Sequence, residues 1–216
     1  AIDKEEIALG ATNGYATPTD VGITPICPQT PQDFKGLERD VERAKQLVAE
    51  AGYPDGVDVT MRIISASNYS KPAEVVQAQL KEIGINVSIE AMERASWFDI
   101  CYTGGDFDIT IYANPVQVID ADFGAYPFMH SSEANGGNNY MGINIPELDD
   151  LLDRARLSTD EEERKELYLQ VCEIVRDESL FVPMYTGERT YAAVKELQGV
   201  HADPMVRYYT YGYSWE

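Results

Sequence analysis

The chain has 216 residues, enough for one large domain or two small ones, and 44% of them are hydrophobic, as in ordinary globular proteins. Its 37 acidic residues outnumber its 17 basic ones, and the net charge is −20. Such a surface repels phosphates and shows no basic patch, which disfavours nucleic-acid binding. No stretch approaches the roughly 20 apolar residues of a membrane span, and no secretory signal is visible.

The first predicted element is a short helix over residues 2–9. The opening letters, AIDKEEIALG, are typical of a helix inside a larger protein. We therefore expect the first residue to be a fragment boundary, and the missing signal says nothing about localisation. Residues 10–36 are rich in glycine, proline and threonine, so we expect a long irregular segment that is functional or covers another part of the protein.

Residues 40–56, DVERAKQLVAEAGYPDG, predict a helix, a stop and a turn. Asp40 is a good N-cap, and Gly52 stands where a helix needs a left-handed residue to end. The predicted apolar face of this helix consists of Ala44, Leu47, Val48 and Ala51. The Tyr-Pro-Asp-Gly turn then leads into a predicted strand over residues 57–64.

A short loop at 65–70 precedes the next predicted helix. Pro72 suits the first turn of that helix, and Gly84 ends it. Its predicted core positions are Val76, Leu80 and Ile83. Residues 85–91 alternate apolar and polar and predict a half-buried strand.

Trp97 and Phe98 are predicted to lie in a short helix that ends near Gly104, and residues 107–112 form a third predicted strand. The order β-α-β-α-β indicates an α/β layer structure, with helices packed on a sheet.

The second half of the chain is predicted to be more helical. Pro146 opens one helix, and the capping box at 159–162 starts a long helix that runs to about Asp177. The inward residues of the first of these helices are Leu148, Leu151, Leu152 and Ala155. Short strands are predicted at 181–185 and 191–194.

Three cysteines, Cys27, Cys101 and Cys172, lie far apart in the sequence and form no C-x-x-C motif. Cys172 stands in an apolar helical stretch, where we expect it to be buried and inert. The spacing supports neither a disulfide framework nor a metal site.

Several short sequence blocks follow one another along the chain in a characteristic order. They are AIDKEEI at 1–7, AEAGYPDG at 49–56, VVQAQLKEIG at 75–84, GDFDI at 105–109, DADFGAYPFMHS at 120–131, the run at 146–175, and VPMY at 182–185. These blocks are spread over nearly the whole chain, and through them the chain resembles the solute-binding proteins of peptide and nickel ABC transporters.

The resemblance implies an α/β fold with a mixed β-sheet flanked by helices, which is one lobe of a two-lobed periplasmic-binding-protein-like fold. The block order is similar to that of the C-terminal lobe alone. Residues 1–216 are therefore expected to form a single ligand-binding lobe whose N-terminal partner lobe is missing. The resemblance implies neither a catalytic residue nor a cofactor nor a bound metal.

The function implied by the resemblance is capture of an oligopeptide, or of another small polar solute, between two closing lobes. The partners are then the ligand and the membrane permease of an ABC importer. The implied location is extracytoplasmic, in the periplasm or lipid-anchored at the cell surface. Sugar and nickel-complex binding by the same fold remain alternatives.

Two charged anchors of the family's peptide binders have no counterpart here. A gap-free alignment of GDFD and DAD puts Asn114 where the family usually has tryptophan, and Gln117 where it has the aspartate that holds the peptide's amino terminus. The loop at 65–69 also lacks the arginine that dipeptide binders use for the ligand carboxylate. A free dipeptide is thus disfavoured, although Asp120 or Asp122 could take the ammonium role.

Aromatic and amide side chains near predicted strand ends suit stacking on, and hydrogen bonding to, an uncharged polar ligand. We predict ligand contacts from Asn68, Tyr69, Tyr112, Asn114, Gln117, Asp120, Asn138, Asn139 and Tyr140. Two alternatives remain open: Tyr112 and Tyr140 could be core residues, and the two adjacent asparagines could serve turn chemistry.

The main rival from another class is a glycoside hydrolase, which needs two carboxylates about 5–10 Å apart in a cleft. Asp106 with Asp108, and Asp120 with Asp122, offer such pairs, although a solvated strand or helix end explains them better. No G-x-S-x-G, H-E-x-x-H or phosphate-loop motif is present.

A metal site and a protein-interaction module are two further alternatives. His130 and His201 are far apart in sequence, and for His130 a structural hydrogen bond near a helix end is the favoured role. The tyrosine-rich tail at 208–215 would be exposed in an isolated lobe, or packed as an edge strand.

Overall fold

The computed structural model describes residues 1–114, 118–134, 137–188, 190–201, 203, 205, 207 and 209–215. The α-helices are α1 (Lys4–Thr12), α2 (Val41–Glu50), α3 (Ser67–Glu82), α4 (Arg94–Trp97), α5 (Ala121–Met129), α6 (Pro146–Leu157) and α7 (Glu161–Asp177). The strands are β1 (Ala16–Pro18), β2 (Val57–Ile64), β3 (Ile85–Met92), β4 (Ile109–Thr110), β5 (Tyr185–Gly187), β6 (Leu197–Gln198) and β7 (Ser214–Trp215). A π-helix at Phe98–Thr103 continues α4, and 3₁₀ turns lie at Ser131–Glu133 and Thr210–Gly212.

A parallel three-stranded sheet, in the order β3-β2-β4, organises the first half of the chain. Strands β2 and β3 pair along their whole length, from Val57 opposite Ile85 to Ile64 opposite Met92, and α3 is the crossover between them. Two small antiparallel sheets, β1 with β5 and β6 with β7, lie outside it. The predicted α/β class with both kinds of strand pairing is confirmed.

Helix α2 forms as its sequence predicts. The carboxylate of Asp40 accepts a hydrogen bond from the Arg43 amide at 2.8 Å, and Gly52 follows the helix at φ +97°. Its apolar face is not buried, however: Leu47 is 49% exposed and no residue of α2 is buried. Capping and amphipathicity therefore predicted the helix but not its packing.

Helix α3 begins one turn earlier than predicted. It starts at Ser67, so Pro72 lies inside the helix rather than in its first turn, and the predicted loop shrinks to Ser65 and Ala66. A proline this close to a helix start is tolerated because it removes few intrahelical hydrogen bonds. Asn68 and Tyr69 are consequently helical residues.

Three predicted strands differ from the observed ones. The strand at 107–112 is confined to Ile109–Thr110, and the one at 181–185 is displaced to Tyr185–Gly187. Residues 191–194 form no strand. Apolar runs of this length carry little information on strand bounds, because the pairing partner and not the run decides where a ladder begins.

Two apolar cores divide the molecule. The sheet half comprises α1, β2, α3, β3, α4, the π-helix and β4, and the buried core of this half includes Ile7, Met61, Ile63, Ala73 and Trp97. The helical half comprises α5, α6, α7 and the segment 21–27, and all four predicted inward residues of α6 are at most 4% exposed. Among the described residues, no helix is both long and apolar enough to cross a membrane.

The three cysteines are free and buried, as expected for Cys172. Burial raises the pKa of the Cys172 thiol to about 12, with a smaller contribution from Glu173, so the thiol is protonated and unreactive at neutral pH.

Candidate functional site

The carboxyl edge of the three-stranded sheet is the place where loops from all three strands meet. The chain passes from central β2 to β3 on one side and then to β4 on the other, which makes the β2–β4 boundary a topological switch point. Ligands of open α/β sheets bind outside the carboxyl ends of the strands at such a point. The residues that follow Ile64, Met92 and Thr110 are therefore the candidates.

Trp97 is anchored to the sheet at this boundary. Its indole Nε1 donates to Thr110 Oγ1 at 3.1 Å, and that hydroxyl in turn donates to the Arg62 carbonyl of β2 at 2.7 Å. The side chain is fully buried. Because Arg62 and Thr110 are register partners, the indole covers the junction between β2 and β4.

Four aromatic rings contact the Trp97 ring and a fifth, Phe107, contacts Tyr140; we call these six residues the aromatic cluster. They are Trp97, Phe98, Tyr102, Phe107, Tyr112 and Tyr140. Tyr112, two residues beyond Thr110, stacks on Trp97 with ring centroids 5.1 Å apart and planes 5° apart. Tyr140 stacks on Tyr102 at 5.0 Å. Such a platform of rings can pack against an apolar or planar group.

The phenols of the aromatic cluster are uncharged at neutral pH. Burial raises the pKa of Tyr112, the nearby Tyr69 acts in the same direction, and the positive charge of Arg94 opposes them. Burial also raises the pKa of Tyr102 and, more strongly, that of Tyr140. The cluster therefore offers neutral hydroxyls rather than charge.

The predicted contact residues on the strand-end segments occupy different environments. Asn68 and Asn114 are exposed, and Tyr112 is half-buried in the aromatic cluster. Tyr69 is only 3% exposed and belongs to the core of the sheet half, because the early start of α3 turns it inward. Gln117 lies outside the described residues.

Asn139 supports a loop from within. Its amide Nδ2 donates to the carbonyls of His130 and Ile143 at 3.1 and 2.8 Å, and its Oδ1 accepts from the Ile143 amide at 3.0 Å. Asn139 is only 1% exposed and has no surface to offer a ligand. Its hydrogen bonds hold the loop together, so its role is structural and not the expected ligand contact. Its neighbour Asn138 is exposed and accepts from the Tyr102 hydroxyl, while Tyr140 is half-buried.

Asp120 and Asp122 are held by arginines of the helical half. The Arg164 guanidinium binds both oxygens of Asp120 at 2.6 and 2.9 Å, and Arg156 binds both oxygens of Asp122 at 2.9 and 3.0 Å. Hydrogen bonds from Arg164 lower the pKa of Asp120 against the opposing effect of burial. Both carboxylates are therefore compensated already and are poorly placed to receive a ligand ammonium.

The other proposed carboxylate pair is also engaged. Asp106 contacts the Arg62 guanidinium at 2.8 Å, and Asp108 accepts from the Thr60 amide at 2.8 Å. Both aspartates thus bind the sheet at its β2–β4 side. Neither pair has the free acid and base that glycoside hydrolysis requires.

His130 has the structural role that the sequence favoured. It ends α5, and its Nδ1 accepts from the Ser132 amide at 3.1 Å while the ring stacks on Tyr126 at 4.3 Å. His201 is exposed and distant in sequence. Over the part of the chain that the structure describes, no three histidine, cysteine or acidic side chains are grouped so as to hold a metal ion.

A cavity of about 140 Å³ lies away from the aromatic cluster, between the start of the chain, the segment at 36–39 and α7. Its walls are largely apolar, with the Lys4–Asp20 ion pair among the lining residues. None of the lining residues follows a strand of the three-stranded sheet, so the cavity lies away from the strand ends at which open α/β sheets bind ligands.

Sequence reasoning located Tyr112 and Tyr140 but missed the residues that assemble them. Trp97, Phe98 and Tyr102 were placed in a short helix with no role in binding. The signal that could have found them is the spacing of Phe98 and Tyr102 on one helical face directly after a strand. The π-helix that carries them is itself a form often found at functional sites.

Residues 1–136 match the model of the bacterial extracellular solute-binding proteins, family 5 (middle). The chain is 30% identical over 191 residues to heme-binding protein A of Haemophilus influenzae, covering 85% of this chain and 34% of that protein. It is 27% identical over 216 residues to the glutathione-binding protein GsiB of Escherichia coli K12, covering 92% of this chain and 40% of the relative.

Two solved structures have the same fold. The Helicobacter pylori DppA complex with peptide STSA superposes with a TM-score of 0.79 at 25% identity, over 92% of this chain and 39% of that one. The Pseudoalteromonas dipeptide-binding protein with Met-Leu superposes with a TM-score of 0.86 over 100% of this chain and 43% of that one; at 24% identity it shows the fold alone. The chain spans less than half the length of each of these relatives. It belongs to the family 5 bacterial extracellular solute-binding proteins.

Proposed function

We propose that this chain forms one wall of a solute-binding cleft and takes part in ligand capture for an ABC importer. The observation that carries the proposal is the aromatic cluster at the carboxyl edge of the sheet, at the switch point between β2 and β4. Such an edge is where α/β folds bind small molecules. Rings and amides there provide apolar area and hydrogen bonding without a catalytic group.

The second wall comes from a partner lobe of the same polypeptide in this proposal. The relatives are more than twice as long as the part that this chain matches, which supports the interpretation of residues 1–216 as one lobe of a longer protein. The order of the sequence blocks is the reason to propose the C-terminal lobe. Closure of two lobes sequesters the solute, and the closed form is then recognised by a membrane permease. The site of action is extracytoplasmic, in line with the family's description.

The contact residues in this proposal are those with a side chain available at the edge. Asn68 and Asn114 provide exposed amides, while Tyr112 and Tyr140 are half-buried and provide neutral hydroxyls. Gln117 stays a predicted contact. Tyr69, Asp120 and Asn139 instead support the wall through the core, the Arg164 ion pair and the loop hydrogen bonds.

The proposed ligand class follows the relatives, which are named for binding haem, glutathione and a dipeptide or were solved with the peptide STSA. Binding of an oligosaccharide or of a nickel complex is the alternative. The described residues contain no preformed metal group, so a nickel ligand would have to arrive with its own chelator.

Isothermal titration calorimetry on the natural polypeptide that contains this chain tests the proposal. The probes are Met-Leu, the peptide STSA, glutathione, haem, an oligosaccharide and nickel with histidine. We expect at least one to bind, and Tyr112→Leu to weaken it about threefold to tenfold through lost stacking. Tyr53→Leu, at an exposed tyrosine beyond α2, is the matched control and should bind like the wild type.

Two results would contradict the proposal. One is that no probe binds the folded wild-type protein. The other is that Tyr53→Leu and Tyr112→Leu affect binding equally, which would separate recognition from the aromatic cluster. Thermal denaturation of each variant shows whether a loss of binding reflects a loss of folding.

A further inference from the structure

Arg94 differs from the other arginines whose contacts the structure describes. It is exposed and makes no hydrogen bond or ion pair with any described residue. Each of the following arginines pairs instead with a carboxylate: Arg39, Arg43, Arg62, Arg154, Arg156, Arg164 and Arg176. In a chain with a net charge of −20, an arginine without an acidic partner is a notable exception.

The backbone places Arg94 at the candidate site. It lies two residues beyond the end of β3, and the Met92 carbonyl accepts a hydrogen bond from the Ser65 amide at 2.7 Å, which joins the segments that follow β3 and β2. Arg94 is also the first residue of α4 and stands one helical turn before Trp97. Residues three apart are neighbours on a helix surface, so the side chains of Arg94 and Trp97 start from adjacent positions of α4, the first exposed and the second buried.

The electrostatic surroundings favour an anion at this position. The positive charge of Arg94 opposes the effect of burial on the pKa of the Tyr112 phenol, and α4, which Arg94 begins, runs directly into the π-helix that carries Phe98 and Tyr102. The cluster has only neutral phenols, and Asp106, Asp120 and Asp122 are compensated by other arginines. The side chain of Glu93, next in the chain, forms no pair with Arg94. The Arg94 guanidinium is thus a positive charge without an ion-pair partner among the described residues, and the exposed carboxylate of Glu93 is its neighbour in the chain.

We propose that Arg94 binds a carboxylate of the solute while an apolar or planar part of the same solute packs on the aromatic cluster. The ligand class is then a carboxylate-bearing molecule rather than a neutral polar one. The planar guanidinium matches a carboxylate with two parallel hydrogen bonds, which a lysine cannot reproduce. This inference rests on the proposed function and names the solute class for that same cleft.

The experiment compares acids with their neutral forms on the natural polypeptide, by calorimetry at low and physiological salt. The pairs are Met-Leu with Met-Leu amide, glutathione with its diethyl ester, and haem with haem dimethyl ester. We expect one acid to bind at least about tenfold more tightly than its neutral form. The pair that shows the preference identifies the source of the carboxylate as a peptide terminus, glutathione or a haem propionate.

The Arg94 variants connect that preference to one side chain. Arg94→Gln should reduce the acid-to-neutral affinity ratio to about one and leave the neutral form bound as in wild type. Arg94→Lys should restore part of the ratio, since it returns the charge without the planar geometry. Arg154→Gln, at an exposed arginine of α6, is the matched control and should keep the wild-type ratio.

Three results would overturn the inference while leaving the proposed function intact. They are equal binding of acid and neutral form by the wild type, a preference that persists in Arg94→Gln, and equal weakening of both forms by Arg94→Gln. The last result would show that Arg94 pairs with a carboxylate of the protein on closure. Failure of every probe to bind the wild type would contradict the proposed function, and this inference with it.

Discussion

The sheet half and the helical half use their polar side chains in opposite ways. In the helical half, Asp120 and Asp122 each bind an arginine through both oxygens. At the carboxyl edge of the sheet half, Asn68, Arg94 and Asn114 are exposed and make no side-chain hydrogen bond with any described residue. Structural regions satisfy their own polar groups, whereas binding surfaces keep theirs for a ligand. The difference supports the proposal that the sheet edge contacts the ligand and that the helical half holds this edge in place.

Removal of Trp97 should break the sheet half most severely. Trp97→Ala leaves a cavity, removes the stacking partner of Tyr112 and leaves the Thr110 hydroxyl without its indole donor. We expect a loss of about 3–5 kcal/mol in the free energy of unfolding, measured by urea denaturation. Trp215→Ala is the control, because Trp215 is 72% exposed and should change stability by less than about 0.5 kcal/mol. Similar losses in both variants would argue against Trp97 as the anchor of the aromatic cluster.

Removal of Arg164 should weaken the helical half next most strongly. Arg164→Gln leaves the Asp120 carboxylate without its partner and takes a donor from the Ala155 carbonyl at 3.0 Å. We expect a loss of about 2–3 kcal/mol at pH 7, measured by urea denaturation. Arg154→Gln, whose ion pair is exposed, should have little effect.

The pH dependence of that loss provides a second readout. Because Arg164 lowers the folded-state pKa of Asp120, the ion pair stabilises the fold above the ordinary aspartate pKa of about 3.9. Its contribution is lost as the pH falls through the lowered folded-state pKa. The difference between wild type and Arg164→Gln should therefore be constant from pH 7 to about pH 5 and shrink below it. A difference that grows on acidification would contradict the assignment.

A substitution at Leu47 probes the apolar face of α2, which belongs to neither of the two cores. Leu47→Gln in α2 should change the free energy of unfolding by less than about 0.5 kcal/mol, because Leu47 is already 49% exposed. Leu152→Ala in α6, at 0% exposure, is the matched comparison and should lose about 2–5 kcal/mol. A loss above about 1 kcal/mol for Leu47→Gln, measured in the natural polypeptide, would show that another part of that polypeptide covers α2.

Local signals predicted the elements well where a cap or a strict period was present. Asp40 caps the helix it was expected to start, and β2 has the predicted bounds, 57–64. The long helix begins at the predicted capping box, with Asp160 rather than Thr159 as its N-cap. The predicted strand bounds were wrong where pairing with another strand sets them. Examples are the displaced strand near Tyr185 and the absent strand at 191–194. Caps and periods act within a turn or two of chain, whereas strand pairing depends on a distant segment.

The candidate site was predictable only in part for a related reason. The sequence indicated that strand ends would supply tyrosines and asparagines, and Tyr112 and Tyr140 do lie in the aromatic cluster. It could not show that Asn139 points into its own loop, because that depends on contacts with His130 and Ile143. The sequence also showed no sign of Arg94, because the availability of its guanidinium depends on which neighbouring charged side chains are already paired in the folded protein.

The amino-acid sequence by itself determined the α/β class, the presence of α1, α2, β2, α3, β3, α4, β4, α6 and α7, and the membership of the family, because these depend on local periodicity, caps and ordered motifs. The tertiary structure alone decided which aspartates are bound by arginines, which tyrosines stack on Trp97 and which arginine remains available. Those properties depend on distances between residues far apart in the chain, and burial and compensating charge exist only once the chain has folded.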